Sequence, residues 1–580
     1  MGNTPLLKPS ARSRFFFPAA ATTASLLILL ATSTTCVSFK TSQLHPPHFS
    51  SQVHKVSSKL GSSSISTRST ALQAASRNNS NNPFTSLISG FASSITGKSS
   101  GPSNMNSNLD SSIEALTSDY SWSTIQETLK SQQTPEEQSF RNNLQYGYGQ
   151  GSPLHKLRLF SDKNKESDVR VTFYRDSASW CPYCQKVWMT LEEKQIPYRV
   201  EKINMRCYGD KPPSFLRMQP SGNIPVAEID GQIYNQSNDI MYVLEQKFPE
   251  HKSLLAKKGD DEESRRFQML LRLERQIFSG WMYWLTGSPR SKDSFLQVLK
   301  EVEQQLQLSN QNNPTGKGFF LGDRITMVDL MFAPFLERMA ASIIFFKGFQ
   351  IRTSPTQTTD YPYLNKWFDA METLDSYQVT KSDYYTHCWD LPPQLGGCTY
   401  EPDGEPYENA INGSRNLNGV GGSWEFPLQP DNGGIEPDWT WCNDSAIATR
   451  EAVERVSANA ANIVKFASRG AGKKGMPPVM AALADPNAIG NDAVNASVDS
   501  ILRIICMTML DENKRSDMET VVRNMGTLMV TEAGNDMKTG VVDSLAYLRD
   551  RVGVPRDMRL PAARMLRANL NWAIGNILDA

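Results

Sequence analysis

Histidine is scarce: there are six in 580 residues, and none follows His387. A metal site built on imidazole therefore has no raw material in the last third of the chain. Cysteine is thin as well. Eight in so long a chain are too few for a disulfide scaffold, which points to a reducing compartment. Formal net charge is zero and charged residues make up 21%, so nothing in the overall balance calls for a nucleic-acid partner. No Asp or Glu precedes Asp110. The length suits roughly two to four domains.

The acid-free leader divides in two. Lys8, Arg12 and Arg14 precede Phe15-Phe16-Phe17 and an apolar run from Ala19 to Thr32, closed by small residues around Thr35 to Ser38. This is the pattern of a signal peptide over 1–38, too short and too interrupted by threonines for a stable membrane span. Ser, Thr, Asn and scattered basic residues then fill 39–109, a transit-peptide composition without fold. The pair resembles the two-part presequences of algae, which implies the plastid stroma. A secreted protein with a Ser-rich leader is the alternative, though secretion would expose its thiols to oxidation.

What is present centres on Ser179-Trp180-Cys181-Pro182-Tyr183-Cys184-Gln185-Lys186. An apolar run, Val169 to Tyr174, reads as a strand just before it, and Val187, Trp188 and Leu191 give helical period just after. Cys181 is thus expected at a helix mouth, where orphan N–H groups and the helix dipole favour thiolate. It is the candidate nucleophile. Cys184, about one turn further in, is the candidate to attack a mixed disulfide on Cys181. A single Cys-x-x-Cys is also half of a zinc site, but Cys36, Cys207, Cys388, Cys398, Cys442 and Cys506 supply no second pair, and no metal is expected.

Residues 110–168 read as a polar lead-in that packs on the next domain. From 169 to 250 the order is strand, helix, strand (Tyr198 to Ile203), helix (Ser214 to Met218), two strands (Pro225 to Ile229 and Gln232 to Tyr234) turned by Asp230-Gly231, and a helix (Asp239 to Phe248), which argues a small α/β sandwich. Residues 262–390 carry helical runs and a capping box, Thr326-x-x-Asp329, at the head of a buried helix. The 391–444 stretch, rich in Gly, Pro and Trp, reads as a linker or strap, and 445–580 as a further helical extension. Six arginines from Arg549 to Arg567 read either as an anion-binding face or as a solvated, salt-bridged surface. Trp281, Tyr283 and Trp284 read as core or as a second-substrate pocket.

The α/β segment resembles the thioredoxin-like half of cysteine-type glutathione transferases, with a Cys-Pro-Tyr-Cys site as in glutaredoxins, and 262–390 resembles their all-helical half. The fold class expected is therefore thioredoxin-like α/β, then an all-α transferase domain, then an additional all-α extension. The domain order, Ile203 to Lys211 and Val554-Pro555-Arg556-Asp557-Met558 resemble the iota class of photosynthetic organisms. The resemblance implies glutathione as co-substrate and no metal. It assigns a cis proline at Pro225, backbone pairing of glutathione at Val226, and the γ-glutamyl end to Gln236 and Ser237. The glycyl carboxylate falls to Lys211, and Tyr183 becomes an aromatic wall. A trans Pro225, a plain N-cap at Ser237 and a solvated Lys211 are the bland alternatives.

The function implied is glutathione-dependent thiol transfer through a Cys181 mixed disulfide, acting on glutathionylated proteins, small disulfides or an electrophile such as dehydroascorbate. The alternative is a non-catalytic plastid protein that binds glutathione or another ligand and docks through its extension. Homodimers are common in that family, so a homodimer is one expectation.

Overall fold

The computed structural model describes residues 107–580 except 288, 313–315, 355–356, 414–422, 430–434, 437–444 and 480. The signal segment, nearly all of the transit segment and the tryptophans at 439 and 441 lie outside the described residues. Three helices come first: α1 (Ser107–Thr117), α2 (Trp122–Gln132) and α3 (Pro135–Leu144). Thr134 and Glu137 cap α3 reciprocally, the Glu137 carboxylate accepting the Thr134 N–H at 2.8 Å.

A five-stranded sheet follows: β1 (Leu157–Arg158), β2 (Val171–Asp176), β3 (Tyr198–Ile203), β4 (Val226–Ile229) and β5 (Gln232–Tyr234), in the order β1-β3-β2-β4-β5. β2 and β3 run parallel, as a helical crossover between them demands, and the other pairs are antiparallel. Alternation along β2 puts Val171 and Phe173 into the core. Around the sheet lie α4 (Pro182–Lys194), α5 (Pro213–Met218) and α6 (Ser237–Lys247).

The next helices are α7 (Asp261–Thr286), α8 (Lys292–Asn312), α9 (Met327–Lys347), α10 (Pro362–Glu372), α11 (Asp375–Gln378), α12 (Tyr384–Leu395) and α13 (Glu405–Ile411). Every residue of α9 is buried. Its start depends on Asp329. One carboxylate oxygen accepts the N–H and hydroxyl of Thr326, each at 2.9 Å, and the other accepts Phe320 N–H at 3.0 Å and the Trp367 indole N–H at 3.1 Å. One side chain thus caps α9, fixes the preceding turn and ties down α10.

Residues 445–580 carry α14 (Ser445–Ser457), α15 (Ala460–Ala467), α16 (Asn495–Leu510), α17 (Arg515–Leu528), α18 (Asn535–Arg549) and α19 (Leu560–Leu578). The stretch containing α16, Asp492–Leu510, is long and apolar enough to cross a membrane by length and composition, yet 78% of that window is buried in protein.

Two large cores result. One joins the sheet, α4, α6, α7–α13 and the segment around Ala481, Leu483 and Ala484. The other joins the helices after residue 444 to Leu109, Ile113, Ile125 and Leu129 of α1 and α2. The lead-in therefore departs in part from the sequence reading: the segment after its helices reaches the sheet through β1 and through Glu166, which pairs with Arg199 of β3, while the helices themselves pack on the C-terminal helices. Their apolar faces fill that bundle, and Arg141–Glu454 (2.9 Å), Arg450–Glu137 (3.0 Å) and Arg503–Glu114 (2.6 Å) fix the register.

The arginine run fits the salt-bridged reading in part. Arg564 and Arg567 are buried, Arg559 pairs with Glu451 at 3.0 Å, and Arg556 pairs with Asp557 at 2.7 Å. Within the strap, Trp424 is buried with its ring edge-on to Tyr385, 4.9 Å between centroids.

Replacing Asp329 with Ala strands at least three donors in the core and is expected to cost about 3 kcal/mol. Urea denaturation reads this as a lower midpoint at unchanged slope; an unmoved midpoint contradicts the role given to this carboxylate.

Candidate active site

β2 ends at Asp176 and α4 begins at Pro182, so the chain has five residues in which to turn. Ser179 takes a left-handed conformation, φ +56°. The Asp176 carboxylate closes the turn by accepting the Trp180 N–H at 2.5 Å. Arg175 is fully buried beneath it. Its guanidinium donates to Asp176 O (2.9 Å), Ser179 Oγ (2.8 Å) and Pro153 O (2.9 Å) and lies 4.2 Å from the Trp188 ring centroid. The 147–160 segment thereby braces the turn.

Cys181 stands at the N-cap of α4 and makes no side-chain capping bond. It is 8% exposed, against 1% for Cys184 one turn in. Burial, then the neighbouring Cys181 sulfur, pushes the Cys184 thiol well up, so it stays protonated near neutrality. Of the pair, only Cys181 combines a helix N-terminus with a trace of exposure.

The turn is also gripped from α9 and α12. Arg338, fully buried, donates to the Trp180 carbonyl and, at 2.8 Å, to Gln185 Oε1. The Trp180 indole N–H donates to His387 Nδ1 at 3.0 Å, and His387 Nε2 lies 2.7 Å from Glu337. Since Nδ1 accepts, the proton of the neutral ring sits on Nε2 and is donated to Glu337. Burial favours that neutral ring by pulling the His387 pKa down.

The other sequence-derived residues lie at the head of β4, at the start of α6 and before α5. The Ile224–Pro225 peptide is cis. Val226 opens β4 opposite Tyr174. α6 begins at Ser237, so Gln236 is its N-cap and Ser237, nearly buried, is its first residue. That differs from the plain N-cap alternative for Ser237, because the helix starts two residues before Asp239. Lys211 is not a freely solvated lysine: its ammonium donates to Asn204 O. Burial draws its pKa down, against the opposing pull of Cys181, Cys184 and Asp176.

Tyr183 packs edge-on to Phe335, 5.7 Å between centroids, and burial pushes its hydroxyl up to about 12. Phe278 meets Phe335 at 4.9 Å, and the Arg275 guanidinium lies 5.0 Å from Phe278. These residues, rather than the Trp281 to Trp284 stripe, stand beside Tyr183. Trp281 and Trp284 are core, with their indole N–H groups spent on Ser342 and Glu401.

Three polar residues went unremarked in the sequence. Lys186, 1% exposed, donates to Asn238 at 2.8 Å, and burial pulls it down to about 7. Its position five residues after Cys181, next to the apolar run Val187-Trp188-Met189, was the available signal. Glu337 and Arg338, adjacent charges inside the most apolar helix, were another. Among the described residues no group of His, Cys, Asp or Glu is arranged to hold a metal ion.

Residues 180–247 match the glutathione S-transferase N-terminal domain family, and residues 262–370 match the corresponding C-terminal domain family. Glutathione S-transferase DHAR2 of Arabidopsis thaliana is 30% identical over 202 residues, 35% of this chain and 84% of that protein. The chloroplastic glutathione S-transferase DHAR3 of the same plant is 26% identical, covering 35% of this chain and 69% of its own. A crystal structure of Chlamydomonas reinhardtii dehydroascorbate reductase superposes with a TM-score of 0.30 at 21% identity, covering 37% of this chain and 94% of that one. With two matched domains and a relative of this similarity spanned over most of its length, the chain belongs to the glutathione S-transferase family and is a glutathione transferase or thiol-transferase enzyme.

Proposed function

We propose that the reaction is glutathione-dependent thiol transfer with Cys181 as nucleophile. The observation that carries this reading is the contrast between the two thiols: Cys181 at the mouth of α4, Cys184 buried behind it and held protonated. Cys181 thiolate attacks the glutathionyl sulfur of a mixed disulfide, the partner thiolate leaves, and Cys181 carries glutathione. A glutathione thiolate then attacks that sulfur, releasing oxidised glutathione and restoring Cys181. With dehydroascorbate the thiolate adds to a carbonyl carbon. Glutathione attacks the Cys181 sulfur, ascorbate departs with the electron pair, and a second glutathione completes the cycle.

In this reading glutathione pairs with the Val226 backbone, sets its γ-glutamyl carboxylate on Ser237 and the start of α6, and meets Gln236 through a neutral hydrogen bond. Lys211 takes the glycyl carboxylate by leaving Asn204 O, and Tyr183 walls the pocket. The Cys-Pro-Tyr-Cys site and the domain order favour the iota class. The helices after residue 444 form an additional domain, and the enzyme works in a plastid stroma reached through the two-part leader, in keeping with a relative named chloroplastic.

Intact mass after treatment with oxidised glutathione tests this. One glutathione, about 305 Da heavier in mass, is expected on wild type and Cys184→Ser but not on Cys181→Ser, and reduced glutathione removes it. An adduct that ignores Cys181 contradicts the reading.

The Cys184 shift gives a pH expectation. A thiol with raised pKa gains thiolate only as pH climbs, so iodoacetamide near pH 8 should alkylate Cys181 at least about tenfold faster than Cys184, with the gap narrowing in stronger base. Peptide mass mapping reads both sites; equal rates near neutrality contradict the assignment.

A further inference from the structure

The bonds that hold Trp180 continue into the C-terminal helices. Glu337 sits at the centre. One carboxylate oxygen takes His387 Nε2–H (2.7 Å) and the Ser382 N–H (2.7 Å), and the other takes Gln185 Nε2–H (2.9 Å). Gln185 lies in the first turn of α4, and its backbone N–H donates to the Cys181 carbonyl at 2.9 Å. Residues on both sides of Cys181 are therefore fastened to the same carboxylate.

Ser382 and Asp383, which open α12, are fastened in turn from beyond residue 540. The Ser382 hydroxyl donates to Val554 O. Asp383 pairs with Arg567 of α19 at 2.7 Å, both side chains 1% exposed. Arg567 also donates to Val552 O at 2.7 Å, and its guanidinium lies 4.8 Å from the Tyr385 ring and 4.9 Å from that of Trp424. The Tyr385 hydroxyl reaches Asp550 O at 3.1 Å. Burying so many polar groups is an expensive way to join two helical layers, because apolar residues of equal volume stabilise as well or better. What a directional chain supplies is one fixed geometry.

We infer that Trp180, His387 and Glu337 are positioning residues for Cys181, and that the Asp383–Arg567 pair makes the C-terminal helices part of the active-site scaffold. This rests on the reading of Cys181 as nucleophile. The thiol hangs from a turn whose preceding residue is held at its carbonyl by Arg338 and at its ring by His387. Loosening either hold moves the sulfur relative to bound glutathione, and displacements near 1 Å cost on the order of a hundredfold in rate. Glutathione affinity, set on the β4 and α6 side, should be untouched.

The test uses the full chain and three changes that leave no unpaired buried charge: Trp180→Phe, which removes the indole donor and keeps a smaller aromatic ring; His387→Gln, which still accepts at one atom and donates at another; and Asp383→Asn with Arg567→Met, which keeps the α12 cap without the ion pair. Readouts are the alkylation rate at Cys181 by peptide mapping, and kcat and glutathione KM with the glutathione–cysteamine disulfide as second substrate. Trp180→Phe and the double variant are expected to slow both alkylation and kcat about tenfold with KM unchanged, while His387→Gln stays within about threefold of wild type. Wild-type alkylation in Trp180→Phe overturns the positioning role, and wild-type alkylation in the double variant overturns the part given to the C-terminal helices. A Cys181→Ser control separates the two claims: if turnover survives it, the proposed function fails, while alkylation of Cys181 in the other variants still reports on positioning.

Discussion

Glu337 carries a negative charge at only 4% exposure, and such a charge survives only if donors are brought to it. Burial alone would raise its pKa. The pairing with His387, the adjacent Arg338 and the Ser382 N–H reverse that and draw it below the ordinary carboxylate range. The donors come from three places in the chain: α4 through Gln185, α12 through His387, and the turn before α12 through Ser382. α9, apolar along most of its length, thus delivers an adjacent pair of opposite charges, Glu337 and Arg338, to the point where the thioredoxin-like half, the helical half and the C-terminal helices converge.

The same economy runs through the rest of the molecule. Arg175 under the active-site turn, Asp329 at the head of α9 and Arg567 in α19 are each a single buried polar group that joins two or three elements at once. Apolar packing supplies the bulk of the stabilisation in both cores. These few directional contacts select which packing is adopted. At the mouth of α4, burial raises the pKa of the Cys184 thiol, while Cys181 keeps 8% exposure.

Much of this was legible in the sequence. The apolar run from Val169 to Tyr174 marked β2 to within two residues, Asp230-Gly231 marked the β4–β5 hairpin, and Thr326-x-x-Asp329 marked the start of α9, because each is a local signal. The Cys-x-x-Cys pair was legible for the same reason: strand, turn, thiol and helix are contiguous. The lead-in was not, since an amphipathic helix states that it needs a partner but not which one, and α1 and α2 found theirs more than 300 residues away. Arg564 and Arg567 misled because composition cannot distinguish a surface charge from a buried one. His387 and Glu337 were silent for a related reason: nothing in their neighbours marks them as partners of Trp180.

The central claim is that Cys181 is the atom to which glutathione becomes bonded, inside a pocket formed by β4 and the start of α6. The most direct measurement is a crystal structure of the Cys184→Ser chain soaked in oxidised glutathione. The account expects continuous density from Cys181 Sγ to the glutathione sulfur, the γ-glutamyl carboxylate on Ser237 and the tripeptide backbone beside Val226. Glutathione bound elsewhere, or lying in this pocket with its sulfur turned away from Cys181, would contradict it.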